Sequence, residues 1–454
     1  MIQLFSFALV FPLLLFLWVL VKQGRPFSSK QLPPGPWKLP LIGNLHHLSV
    51  GLPHQTLSRL AEKHGPIMHL QLGEISTVLI SSADVAQEAL TTHDIALVQR
   101  PRQMAYDLVP YNNVGVTFAP YGSYWKRLRK ICAMQLLGPN RVESYRAIRQ
   151  EEVSKMMDSI SSHASLGKAV NVRREALVLS NTLTARAAVG EINNDADEFI
   201  SILSIQTEVR FRIFLLLIFP SYEFLHWITG VRRVIVETRQ KLDRILSNID
   251  IFTAGNQNLA VVIEWAMAHV LKSPQVMEKA QTEVRQAFKA KGGKIEEREI
   301  QELPYMKSVI KETLRLHPPL PIIQRETSDT CNVHGYEIPV KTQVLFNAWA
   351  INRDPKHWDD ADSFRPERFL DSSLHWQGKN FEYIPFGAGR RICPGMTFAA
   401  SIVEVVLANL LYHFDWKLPD GARPQDLDMN DISAIVAKKE KQLLAISTPN
   451  LLLG

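Results

Sequence analysis

Cysteine is scarce: Cys132, Cys331 and Cys393 are the three in 454 residues, far apart and without a C-x-x-C pair. That spacing argues against a disulfide framework or a zinc cluster and fits a reducing compartment. No dense Lys/Arg tract occurs, and a net charge of +6 with a pI near 9.1 suits a membrane-facing surface or an acidic partner rather than nucleic acid. No G-x-G-x-x-G follows a predicted strand and no P-loop is found, so there is no nucleotide site for an internal electron source. Charge is missing altogether from residues 1–21, which are apolar and long enough to span a bilayer. Neither a basic leader nor a small-residue cleavage site accompanies this run, which separates it from a signal peptide. Lys22, Arg25 and Lys30 follow at once and put the rest of the chain on the cytosolic side. Apolar residues are abundant, at 46% against 21% charged, enough for a large core.

The chain is organised around FGAGRRICPG, Phe386 to Gly395, which leads into the apolar helical pattern MTFAASIVEVVLANLLYHF. Pro394 is favoured at a first helical position, so Cys393 reads as an N-cap. A sulfur at a helix N-terminus beside Arg390 and Arg391 is biased towards thiolate, a soft anionic ligand. Gly387, Gly389 and Gly395 allow backbone to pass close to a large flat group. Taken singly, such a cysteine reads more readily as a small buried hydrophobe.

The whole string resembles the haem-binding signature Phe-x-x-Gly-x-Arg-x-Cys-x-Gly of the cytochromes P-450, in Phe386, Gly389, Arg391, Cys393 and Gly395. The resemblance extends over essentially the whole chain and is closest to the plant microsomal type. It implies a mainly α fold with a small β domain, haem b bound through Cys393 as axial and metal ligand, and electrons from NADPH by way of the NADPH-cytochrome P-450 reductase. The expected division is an anchor over 1–21, a basic and proline-rich hinge over 22–44 and a haem-thiolate catalytic domain over 45–454. The resemblance places that domain on the cytosolic face of the endoplasmic reticulum membrane.

Other segments fit the same pattern. Pro33, Pro34, Pro36 and Pro40 forbid a helix and make a stiff spacer. A helix is predicted over Pro53–Lys63, then two strands around a turn at Gly73 and Glu74. The stretch 100–121 lacks periodicity and resembles the family's loop over the substrate pocket, with Val114 and Phe118 in its lining. Trp125 and Arg129 lie four apart on one helical face; by resemblance they hold a haem propionate, and Lys126, Arg127 and Lys130 face elsewhere as a basic surface. FRIFLLLIFP, from Phe211 to Pro220, is too short to span a membrane and reads as a core helix. Glu312 and Arg315, at i and i+3, read alone as a surface ion pair. The resemblance instead joins them to Arg368 of Pro366-Glu367-Arg368-Phe369, a structural set beneath the haem. It also assigns Leu320, Ile322 and Ile323 to the substrate pocket and Arg325 to a propionate. A last hairpin is expected with its tip around Ile432 to Val436.

Two departures stand out. The central helix pattern carries Ala254 and Gly255, with Ala254 facing substrate, but Gln257 and Asn258 replace the acid and alcohol that organise water and protons in relatives. Both amides donate and accept hydrogen bonds without titrating near neutrality. Upstream, RQKLDRILSNIDIFTAG runs straight through where relatives carry additional chain, so the fold is expected to be shortened before the central helix. Oxygen insertion into an apolar terpenoid, phenolic or alkaloid precursor is the leading function. A catalytically silent or truncated haem-binding relative and a haem-thiolate isomerase or dehydratase are the alternatives these departures leave open.

Overall fold

The structure, a computed structural model, describes residues 32–49, 51–101, 115–190, 250–289, 295–432 and 436–450. The anchor, the 211–220 run and Val114 lie outside the described residues, as do 433–435 of the expected hairpin tip.

Helix α1 (Pro53–His64) starts on a proline, as expected, and precedes β1 (Ile67–Leu72) and β2 (Ile75–Ile80). Gly73 makes their turn with φ +59°. Helix α2 (Ala83–Thr91) is capped by Ser82, whose hydroxyl accepts from Val85 N. Then come α3 (Ser123–Ile131), α4 (Arg146–Ser165), the short β3 (Val170–Asn171) and α5 (Val172–Val189). The central helix α6 (Asp250–Lys272) is followed by α7 (Pro274–Lys289) and α8 (Pro304–Leu316). Pro318 and Pro319 bar continuation of α8 and deliver the chain into β4 (Ile322–Glu326). Two short strands, β5 (Cys331–Val333) and β6 (Tyr336–Ile338), form a hairpin before β7 (Gln343–Asn347). Helix α9 (Met396–His413) leads into β8 (Phe414–Lys417), and β9 (Leu444–Pro449) closes the described chain.

The main sheet has the order β1-β2-β7-β4, with β2 and β7 parallel and the outer pairs antiparallel. A second sheet runs β3-β9-β8. The largest core sits between helices: α6 and α9 contribute long buried stripes, among them Ile263, Ala266, Ile402, Val406 and Leu410, with α4, α5, α7 and α8 packed around them. Each such Ile, Leu or Val side chain removed from water contributes about 2 kcal/mol. Among the described residues α9 is the one helix long and apolar enough to cross a membrane, and its burial marks it as core. Helix α5 packs along α6 more extensively than any other described pair of elements.

The stiff spacer is partly docked on the sheet. His69 N donates to Pro34 O at 2.9 Å and Asn44 N to Gln71 O at 2.6 Å, so residues 34–44 cover the outer edge of β1. Gly35 and Gly43 are required there, because a Cβ would lie 2.0 Å from His69 O and 2.1 Å from Gln71 O.

Candidate haem site

The loop from Phe386 to Cys393 is closed by Cys393 N donating to Phe386 O at 3.0 Å. Helix α9 begins after Gly395, its N-cap, and Ala399 N to Gly395 O at 2.8 Å is its first bond. The sequence expectation that Cys393 caps the helix is therefore corrected by two residues, and Pro394 precedes the helix. The charge expectation also changes. Burial pushes the Cys393 thiol up, against the weaker pull of the Gly395 N–H and the Arg129 guanidinium. A thiol in this setting ionises when a metal cation takes the proton's place. The glycines have local reasons: Gly387 and Gly389 have φ of +73° and +68°, and a Cβ on Gly389 would lie 2.6 Å from Asp94 Oδ1.

Four arginines converge beside this loop. Glu326 N donates to Gln99 O at 2.9 Å, which lays residues 98–100 along β4. Arg391 uses that proximity: its Nε donates to Val98 O at 3.0 Å and its Nη2 to Ala119 O at 2.7 Å, with Cζ 4.2 Å above the Trp125 ring. Trp125 is buried, and its Nε1 donates to Val116 O at 2.9 Å, so the indole N–H organises the loop before α3. Arg129, one turn on, donates to Ile392 O at 2.5 Å, next to the cysteine. Arg100 Nη1 and Arg325 Nη1 both reach Gln324 O, at 2.6 and 3.0 Å. Arg325 is buried, and burial together with Arg100, Arg391 and Arg129 drives its pKa far below the usual guanidinium range. Burial, Arg100 and Arg129 bring Arg391 down to about 9. Asp94 is the carboxylate that opposes this shift on Arg325 among the described residues. Arg391 Nη1 is buried without a partner among the described residues.

Glu312 and Arg315 are fully buried in α8. Arg315 Nε donates to Glu312 Oε2 at 2.7 Å and Nη2 to Oε1 at 2.9 Å. Arg368 Nε adds 3.0 Å and Arg365 N 2.9 Å to the same Oε1. The remaining donors of Arg315 reach the carbonyls of Asn352, Ala361 and Ser363. This is no surface ion pair: every charge is satisfied and the segment 352–368 is tied to α8.

In α6 the pair Gln257 and Asn258 is half-buried, while Asn256 between Gly255 and Gln257 is completely buried. Asn256 accepts from Ser180 Oγ at 3.4 Å and donates to Asn181 Oδ1 at 3.3 Å, joining α6 to α5. Sequence reasoning missed Asn256, although a polar residue on the α5-facing side of a buried helix was its signal. Ala254 lies in α6, its side chain outside the described residues. Phe118 is half-buried in the turn after Gly115, and Leu320 is 39% exposed. Ile322 and Ile323 are neighbours in β4 and point to opposite faces. Ile323 packs against the core that includes Ala388 of the cysteine loop, whereas Ile322 joins Leu57 and Met68 beneath α1. The structure thus brings one of the two isoleucines, Ile323, towards the cysteine side.

The sequence pattern of the family described as Cytochrome P450 matches residues 33–249 and 243–445. The chain belongs to the cytochrome P450 family. Among its relatives, a desmethyl-deoxy-podophyllotoxin synthase of Sinopodophyllum hexandrum is 44% identical over 96% of this chain and 95% of its own. A premnaspirodiene oxygenase of Hyoscyamus muticus is 40% identical over 98% and 99%, and a salviol synthase of Salvia pomifera 43% over 91% of each. This cytochrome P450 is accordingly an oxidoreductase of the monooxygenase class, related to enzymes of plant specialised metabolism. Alignment with the premnaspirodiene oxygenase takes 498 positions for a chain of 454, so this chain lacks residues its relative has. The family pattern breaks in two at 243–249, immediately before α6, where the sequence showed the shortening. Haem is the family's cofactor, and the residues fit it: a sulfur donor stands on a closed loop beside buried guanidiniums, one with an orphaned donor, that suit two carboxylates.

Proposed function

We propose that this chain is a membrane-anchored haem-thiolate monooxygenase that inserts one atom of dioxygen into an apolar small molecule of terpenoid, phenolic or alkaloid type. Electrons come from NADPH through a separate reductase, with residues 1–21 as anchor in the endoplasmic reticulum membrane and the catalytic domain cytosolic. The observation that carries the reading is the convergence of the buried guanidiniums of Arg325 and Arg391 with Arg129 beside Cys393, Arg391 Nη1 having no partner among the described residues. Bound haem supplies thiolate-ligated iron, a state that favours O–O cleavage. Cys393 is its ligand; Arg129, Arg325 and Arg391 hold the propionate side, where Trp125 backs the Arg391 guanidinium with its ring, and Phe386 and Gly395 shape the loop. Glu312, Arg315 and Arg368 keep that loop's support in register. Gln257 and Asn258 orient water, because an amide fixes a water by donating and accepting yet supplies no proton of its own at neutral pH. Phe118 and Ile323, together with Val114, Ala254 and Leu320, make the apolar side that faces substrate. The relatives' names, which point to plant specialised metabolites, support that class.

Gln257, Asn258 and the missing chain before α6 favour a second reading, a haem protein poorly coupled to substrate oxidation or one that rearranges an already oxygenated compound. One experiment decides. The full chain is reduced and exposed to carbon monoxide, and then NADPH use and product are compared with reductase present. A red-shifted thiolate Soret band with product per NADPH near one supports the monooxygenase. NADPH use without product supports uncoupling, and product without NADPH supports the isomerase or dehydratase. Absence of the band removes Cys393 ligation. In the uncoupled case, the double variant Asn258→Thr with Gln257→Asp is expected to raise product per NADPH.

A further inference from the structure

Asp94 lies just beyond α2, almost 300 positions from the loop it touches, and none of the haem-site motifs includes it. Its carboxylate accepts from Arg390 N through Oδ2 at 3.1 Å and Oδ1 at 3.3 Å. It also meets Arg390 Nε at 3.2 Å, but that guanidinium side chain is 47% exposed while the Asp94 side chain is 12% exposed. A solvent-facing ion pair contributes little, so the backbone contact is the important one. Gly389, one residue earlier, approaches so closely that a Cβ would meet Asp94 Oδ1 at 2.6 Å and Leu90 O at 3.2 Å. The turn Gly389–Arg391 is therefore pressed onto the end of α2 and fixed there by the carboxylate. Three residues after the fixed N–H comes Cys393, and on the same short stretch Arg391 takes Val98 O, four residues after Asp94.

We propose that Asp94 is the positioning residue of the cysteine loop, holding the Arg390 N–H so that Cys393 and Arg391 meet the haem in one fixed register. The inference rests on the haem-thiolate reading for its purpose, while the contact itself is testable without haem. Asp94→Ala removes both acceptors. Asp94→Asn keeps an acceptor for the N–H and removes the charge, which separates backbone positioning from the ion pair.

Hydrogen exchange of the 389–393 amides in the full chain, without haem, reads the contact directly. Asp94→Ala is expected to exchange there about tenfold faster than the parent, and Asp94→Asn within about twofold of it, as loss or retention of one hydrogen bond implies. In the haem-loaded chain, the thiolate ferrous–CO band of Asp94→Ala is expected to convert to the thiol-ligated form several times faster than that of Asp94→Asn. Equal exchange in Asp94→Ala and the parent overturns the proposal, and so does an Asp94→Asn that behaves like Asp94→Ala. Changed exchange with an unchanged rate of band conversion also overturns it. A parent chain without any thiolate band sinks the haem-thiolate reading instead, and with it the assigned purpose, while exchange still reports the contact. If Asp94→Ala does not accumulate, Asp94→Ser, too short to span to Arg390 N, is read in its place.

Discussion

Arg391 makes two kinds of contact at once, with two carbonyls held by N–H groups and with an indole beneath its plane, and it keeps one buried donor without a partner among the described residues. Only a planar guanidinium satisfies that geometry. Arg391→Lys is expected to lower haem retention about tenfold, measured as Soret absorbance per mole of protein after gel filtration, since a single ammonium replaces a rigid fork. Retention equal to the parent would show that the cluster serves another end. The residue itself was legible in the sequence because it belongs to a motif. Its partners were not: Val98 and Ala119 offer backbone carbonyls, which no side chain announces. The thiol of Cys393 was misjudged for a related reason: Pro394 put the helix start two residues early, and burial leaves no mark in the sequence.

Elements were legible where a proline or a turn glycine marks their ends, as at Pro53, Gly73 and the prolines after α8. The face of each residue in β4 was harder, because Ile322 and Ile323 are chemically equal and only the pairing with β7 says which way each points. Between α8 and the segment 352–368 the decisive feature is Glu312, whose Oε1 alone accepts three donors. Glu312→Gln leaves Arg315 as an uncompensated buried cation and is expected to destabilise the fold by about 3–5 kcal/mol, read from chemical denaturation. A loss under about 1 kcal/mol would mean that the three carbonyls around Arg315 suffice without the carboxylate.

For the molecule as a whole, acid is the condition to which the core is exposed. His317 stacks on Trp265 at 3.6 Å and His269 on Phe364 at 4.0 Å, and His269 Nε2 is buried without a partner among the described residues. Burial is the largest influence on both, and Arg353 and Lys439 add to it; His269 falls from 6.5 to about 3. The unfolded chain then takes up protons below 6.5 that the folded chain refuses, so this stability is fully present above pH 6.5 and is lost as pH falls from 6.5 towards 3. The slope approaches about 1.4 kcal/mol per pH unit for each histidine. His269→Gln is expected to flatten the fall of the melting temperature between neutral and acid pH, and an unchanged slope would contradict it. The shortening before α6 was legible at this scale because the patterns on either side run together; that Asn256 ties α6 to α5 was not. The proline-rich strap on β1 has a practical consequence. An open strand edge invites a second molecule to zip onto it, and here the protein's own residues 34–44 occupy that edge. Cutting the chain at residue 45 to remove the greasy leader would exchange one source of self-association for another, whereas a cut ahead of residue 32 leaves the edge sealed.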